Sequence, residues 1–352
     1  MPDAHSVARL NRDQIAQFKH DGMLVLPGVL DEGACGRVRD QLWDVIGKCR
    51  PKMKRDDPAT WEPFTESEAK RHARPETGGD PYFFGKGHRL YVRNGAEQPV
   101  LDAAVRPLWG IAEQLLGEGE VVWPTGVDDH GVTEGPCLMT ERSRQGMVGH
   151  LGDRADDWLG EPTGRTERLR LPATGPVWMT AQGARGLYCT LPDSPPGKAG
   201  WASAHAEALF DTFWRLQIAV YVDDVPEGGG GLMLWPGSHR RIWDYWEAVH
   251  RDVHPPNRPE GVPEWDGYTA PPLQEIKSDT EPVMTSGPAG SVVLWHANLL
   301  HMAGQNTRED VMRQAAIYAF AKTPESVSDG TVKRDPHGDL WRDWSDSVKT
   351  VS

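Results

Sequence analysis

The sequence predicts a mainly β protein with flanking helices, and three observations predict it. Its second half carries short apolar or β-rich runs bounded by turn residues, at Trp214 to Val225, Leu232 to Trp235, Ser291 to Trp295 and Arg313 to Phe320. That is the pattern of an antiparallel barrel or sandwich. The first half shows helical spacing of apolar residues with capping signals at the ends. Gly and Pro are abundant, 38 and 29 of 352 residues, which suits many turns and long loops. Barrels and sandwiches of this kind reach such a length as one unit, so a single domain over residues 1–352 is expected.

The elements follow in order. Asn11 can cap a first helix, with Gln14 completing a capping box and Leu10 with Ile15 a hydrophobic staple. Gly22 is the expected stop. Met23 to Leu26 reads as a short strand ended by Pro27, and Asp31 can cap a second helix whose Val38, Leu42, Val45 and Ile46 share one face. Arg50 to about Gly79 is charged and Pro-broken and reads as a loop, whereas Pro81 to Val92 returns to strand-like, aromatic sequence. Leu101 to Leu116 spaces Val105, Leu108, Ile111, Leu115 and Leu116 as an amphipathic helix that Gly117 ends. This helical part covers about residues 1–120. A loop-rich insertion follows at about 125–183, then a β core at about 184–322 that includes Gly186 to Leu191 and the Gly228 to Gly231 turn. The tail 323–352 is polar and expected at the periphery, with Trp341 and Trp344 as possible anchors.

Composition excludes several classes of function. A formal net charge of −13 argues against a nucleic-acid partner, whose phosphates are bound by clustered Lys and Arg. No basic stripe suits a membrane surface, and no stretch reaches membrane-spanning length. Cys35, Cys49, Cys137 and Cys189 lack Cys-x-x-Cys spacing, so a zinc site is not expected and reduced thiols are. With no apolar segment at the N-terminus, a cytoplasmic protein is expected. The 15 Trp are well above ordinary usage and suit pockets.

The chemistry-bearing residues are His205, Glu207 and a distant histidine. On a strand, residues two apart point to one side, so His205 and Glu207 can aim at one point. A histidine from another strand then completes the two-imidazole, one-carboxylate set of non-haem Fe(II) oxygenases, which leaves three octahedral positions open. Two histidines compete for that place, His296 and His301 in the run WHANLLH, and the spacing alone does not say which points inward. A His-x-Glu pair also occurs by chance in many chains. His239 and the pair Asp223 and Asp224 read as structural, and Asp128, Asp129 and His130 as solvated loop residues.

Four segments in this order resemble the phytanoyl-CoA dioxygenase-like family of Fe(II)/2-oxoglutarate oxygenases: DGMLVLPGVLD, the His-x-acid pair, YVDDVPEGGGGLMLWPGSH, and GPAGSVVLWHANLLHMAGQN with Arg313 beyond it. The resemblance implies a double-stranded β-helix (jelly roll, cupin-like) with iron at the barrel mouth. It implies that His205, Glu207 and His301 hold Fe(II), and that Arg313 pairs with the far carboxylate of the cosubstrate 2-oxoglutarate, with O2 as oxidant. His301 is preferred to His296 because the family's ligand precedes the segment corresponding to Met302 to Asn306. One departure is Glu207, where the family usually has Asp. The longer side chain must fold back to ligate, and its presence weighs against halogenation, which needs a small, non-ligating residue there.

A guanidinium suits a carboxylate because its planar fork binds two oxygens at once. Tyr188 and Thr190, two apart on one strand, and Gln217 are further candidates for hydrogen bonds to 2-oxoglutarate, with Tyr221 of the same status. Trp201, Trp235, Trp243 and Trp246 could line the pocket, and Arg185 could meet an anionic substrate. The expected activity is oxidation, most often hydroxylation, of a small organic molecule in secondary metabolism. The alternatives are a jelly-roll metal-binding protein without 2-oxoglutarate turnover and a 2-oxoglutarate-independent cupin-type enzyme.

Overall fold

The computed structural model describes residues 8–67, 83–86, 88–92, 107–121, 170–171, 175–176, 183–192, 204, 214–250, 271–321 and 339–352. Helix α1 (Arg12–Asp21) begins and ends as its sequence dictates. Asn11 accepts from Gln14 N–H at 2.9 Å, Gln14 accepts from Asn11 N–H at 2.8 Å, and Gly22 closes the helix at φ 73°. Strand β1 (Met23–Leu26) leads to α2 (Glu32–Cys49), which Asp31 caps and whose Val38, Leu42, Val45 and Ile46 are buried as predicted. A hairpin, β2 (Phe83–Lys86) and β3 (Arg89–Val92), occupies the stretch read as strand-like. Helix α3 (Pro107–Leu116) buries Leu108, Ile111, Leu115 and Leu116, while the expected first turn with Val105 lies outside the described residues. Within the insertion, the described residues form one short pair, β4 (Arg170–Leu171) with β5 (Gly175–Pro176).

The β core follows: β6 (Gly183–Thr190), β7 (Trp214–Tyr221), β8 (Leu232–Leu234), β9 (Val283–Met284), β10 (Val292–His296), β11 (His301–Ala303) and β12 (Arg313–Ala321). Two helices beyond those expected from the sequence, α4 (Ser238–His250) and α5 (Pro271–Asp279), lie between β8 and β9. The antiparallel strands make a seven-stranded sheet in the order β1-β10-β7-β12-β6-β3-β2 and a three-stranded sheet in the order β11-β8-β9. The protein is thus a mixture of helices and antiparallel sheets.

Alternation along the central strands decides what each face touches. Leu24, Ile218, Val220, Leu294, Ala316 and Tyr318 point one way, into the main core with α2 and α3. Met23, Ala219, Tyr221, Val293, Trp295 and Ala315 point the other way and meet Leu232 and Leu234 of the small sheet. Both faces of the large sheet are therefore covered, and β10 is buried at every position.

The C-terminal segment corrects the expectation of a peripheral tail. Trp341, Trp344, Val348 and Val351 are buried in the main core, and α6 (Asp346–Lys349) follows Ser345, whose N–H and hydroxyl donate to the carbonyls of Leu115 and Gln114. The two tryptophans serve as anchors, more deeply than a polar tail suggests.

Candidate active site

The site is assembled on the inner face of the large sheet and the adjoining small sheet. After β10 the chain turns through Ala297 and Asn298, with Leu299 N–H donating to His296 O at 2.8 Å. The Trp235 to His239 segment then grips the next residues: Ser238 Oγ accepts from Leu300 N–H at 2.9 Å, and Trp235 N–H donates to Leu300 O at 3.1 Å. These bonds deliver His301 to the start of β11, opposite Leu234. Its Nδ1 lies 2.7 Å from Leu299 O. A carbonyl only accepts, so Nδ1 carries the hydrogen and the lone pair of the neutral ring is on Nε2. A backbone carbonyl that fixes the tautomer and orientation of an imidazole is the support a metal-ligating histidine uses.

His296 is directed elsewhere. It follows Leu294 by two and so faces the helical side, fully buried, with its ring stacked on Trp344 at 5.2 Å and 19° and edge-on to Trp341. Its Nδ1 accepts from Asn298 N–H at 3.0 Å. The two histidines of WHANLLH thus lie on opposite sides of the large sheet. His239 belongs with His296, 5.5 Å away, and donates from Nε2 to Lys19 O. Burial, aided by the neighbouring Arg240 cation, lowers its pKa to about 3.

Arg313 opens β12 on the inner face, in line with Ala315, and is only 2% exposed. Its Nε donates to Gly230 O at 3.1 Å. The glycine run makes that contact possible: a Cβ on Gly231 would lie 1.7 Å from Thr285 O, and Gly230 has φ +80° with Asn306 against it. Asn306 in turn holds the loop leading to β12, donating to Val311 O at 2.6 Å and accepting from Arg308 N–H at 3.1 Å. Thr190 is the register partner of Arg313, and Tyr188 that of Ala315. The side chains of Tyr188, Thr190 and Arg185 lie outside the described residues.

Two expectations about hydrogen-bonding side chains change. Tyr221 does not offer its hydroxyl to a ligand, because a closed set of bonds engages it. Leu232 N–H donates to the phenol oxygen at 2.8 Å, and Thr285 donates its single hydroxyl proton to Leu232 O at 3.0 Å. The 2.5 Å contact between the two hydroxyls therefore has Tyr221 as donor. This ties β7 to the small sheet, and burial raises the phenol's pKa. Gln217 does lie on the inner face, but opposite Trp295 and Ala319. Ala319 is six positions along β12 from Arg313, roughly 20 Å at strand spacing, so Gln217 and Arg313 mark different ends of the site.

His205 and Glu207 lie outside the described residues, as do Trp201 and Asp128 to His130. Among the described residues no three His, Cys, Asp or Glu side chains converge on a metal position. Ala204, which precedes His205, is described: it is buried in one cluster with Trp235, Leu300 and Met302, the last two being the sequence neighbours of His301. Trp235 is thus core to the small sheet. Trp243 is half-buried, and the side chain of Trp246 lies outside the described residues. Asp223 accepts from Gln314 Nε2 and Asp224 from Ala289 N–H, so both close the end of β7, as expected. Cys35 and Cys49 are free thiols, and burial raises the pKa of Cys35 to about 11. No helix among the described residues is long and apolar enough to cross a membrane.

The chain is similar to several solved structures. The non-heme alpha ketoglutarate dependent carbocyclase SnoK from nogalamycin biosynthesis is 13% identical, with 89% of this chain and 84% of that one covered and a TM-score of 0.43. EctD from S. alaskensis with bound Fe is 15% identical over 91% and 79%, with a TM-score of 0.44. AviO1 from Streptomyces viridochromogenes Tue57 is 14% identical over 89% and 95%, with a TM-score of 0.36. No curated protein matches. Residues 192–315, which carry the His-x-Glu pair, both candidate histidines and Arg313, match the phytanoyl-CoA dioxygenase (PhyH) family.

Proposed function

We propose that this protein is an Fe(II)/2-oxoglutarate-dependent oxygenase that oxidises, most often by hydroxylation, a small organic molecule in secondary metabolism, on a jelly-roll core. The observation that carries the proposal is the shared cluster of Ala204 with Leu300 and Met302. It brings the residue before His205 to the residues on either side of His301, as a site with ligands from His205, Glu207 and His301 requires. The tautomer of His301 fits metal binding, since its Nε2 carries the lone pair. The family match over residues 192–315 supports the same ligand set.

When bound, iron and 2-oxoglutarate supply the oxidising power: O2 is consumed as 2-oxoglutarate becomes succinate and CO2 and a substrate C–H bond is oxidised. The chain's own part is to hold and to exclude. Arg313 holds the far carboxylate of 2-oxoglutarate, with Thr190 and Tyr188 at the neighbouring register positions. Its guanidinium is nearly out of water, where a charge-assisted pair is stronger than in bulk solvent. The contact from Nε to Gly230 O fixes the approach of the fork. Trp295 and the apolar inner face keep the site dry, which limits side reactions.

Titration of 2-oxoglutarate into the Fe(II)-loaded protein without oxygen tests this reading. Arg313→Ala should weaken 2-oxoglutarate by about 30-fold or more, the effect of removing one partner from a buried charge pair, while Fe(II) still binds. Unchanged 2-oxoglutarate affinity would contradict the proposal and favour a 2-oxoglutarate-independent enzyme or a metal-binding protein without turnover.

A further inference from the structure

We infer that Gln217 and Trp295 form a neutral hydrogen-bonding subsite for the organic substrate, one that recognises a hydroxyl or carboxamide beside His301. This rests on the oxygenase reading above. The two residues are register partners on the adjacent strands β7 and β10, so their side chains share the inner face with Cβ atoms about 5 Å apart. They are 3% and 1% exposed. Gln217 Oε1 and Trp295 Nε1 nevertheless have no hydrogen-bond partner among the described residues and make no bond to each other.

Buried polar side-chain atoms are nearly always bonded, and an orphan costs stability. One acceptor and one donor are orphaned here side by side. A group that both donates and accepts, such as a hydroxyl or a carboxamide, answers both. A carboxylate would meet the indole N–H but also the lone pairs of the amide oxygen, and an ammonium would meet the reverse conflict. The ring of Trp295 lies 5.4 Å from that of His301, so a group held here sits beside the proposed iron ligand. Gln217 is displaced from Arg313 by the length of β12 between Arg313 and Ala319, so the pair is not placed to share the far carboxylate of 2-oxoglutarate.

The test uses the full chain with 15N-labelled indoles. The Nε1–H resonance of Trp295 is identified by its loss in Trp295→Phe, and acetamide and acetate serve as probes. Acetamide should shift this resonance saturably, acetate should not, and Gln217→Leu should weaken acetamide about tenfold. The same variant should bind 2-oxoglutarate within about twofold of the parent protein. A resonance that acetamide leaves unmoved overturns the inference, as does a Gln217→Leu variant that loses 2-oxoglutarate to the extent of Arg313→Ala. Should the acetamide results hold while Arg313→Ala leaves 2-oxoglutarate binding unchanged, the subsite stands and the oxygenase reading falls.

Discussion

The two faces of the seven-stranded sheet are built from the same strands yet set their polar residues in different surroundings. On the helical face, His296 and His239 are enclosed by Trp341 and Trp344. Those imidazoles are bonded to nearby backbone groups, and their surroundings are aromatic. On the inner face, Arg313, Gln217 and Trp295 are as well buried, but Gln217 Oε1 and Trp295 Nε1 lack partners among the described residues. Buried atoms without a partner among the described residues occur on both faces, His239 Nδ1 and Trp344 Nε1 on the first and Gln217 Oε1 and Trp295 Nε1 on the second. The first set lies among core aromatic rings and has a structural role, whereas the second lies beside His301 and has a role in the proposed site. One residue of offset along a strand separates these roles.

Substitutions on the helical face should change stability and leave ligand binding intact. Trp344→Ala has the largest expected effect: it removes a fully buried ring that stacks on His296 and touches Phe18. A loss of about 3–5 kcal/mol is expected, seen as a lower denaturant midpoint. Weakened 2-oxoglutarate binding in folded Trp344→Ala at low denaturant would mean that the faces are coupled.

His239 gives the same face a pH dependence. Its pKa is about 3 when folded, below the ordinary 6.5. Between those values the unfolded chain binds a proton that the folded chain does not, so stability falls as pH drops from about 6.5 toward 3. The slope is at most about 1.4 kcal/mol per pH unit for one proton. Urea unfolding at pH 7 and pH 5 should reveal it, and His239→Gln should flatten that part of the profile. An equal slope in the variant would assign the effect to other groups.

Ser238→Ala has the smallest expected effect and sharpens the contrast, because Ser238 precedes His239 in α4 but bonds to Leu300 beside His301. Stability should fall by about 1 kcal/mol, the worth of one hydrogen bond. Fe(II) binding should weaken as well, which a purely structural role on the helical face would not produce.

Much of this architecture was legible locally. The Asn11 capping box, the Asp31 cap and the apolar face of α2 are set by residues within a few positions of one another, and the structure has them as read. A signal for α5 was also present, Pro271 in its first turn, whereas α4 opens on Ser238, whose hydroxyl accepts from Leu300 rather than capping the helix. What the sequence could not convey is non-local. The side that His296 faces depends on the parity of β10, the engagement of Tyr221 depends on Thr285, and the separation of Gln217 from Arg313 depends on strand register. Of the expected iron ligands, His301 is the one whose surroundings the structure describes.

The most direct measurement compares His301→Ala with His296→Ala under anaerobic titration with Fe(II) and 2-oxoglutarate, following the weak visible metal-to-ligand charge-transfer band of the chelate. The account predicts that the parent protein develops the band, that His301→Ala loses it, and that His296→Ala retains it at lower thermal stability. Loss of the band in His296→Ala with retention in His301→Ala would contradict the assignment of the inner face as the active one.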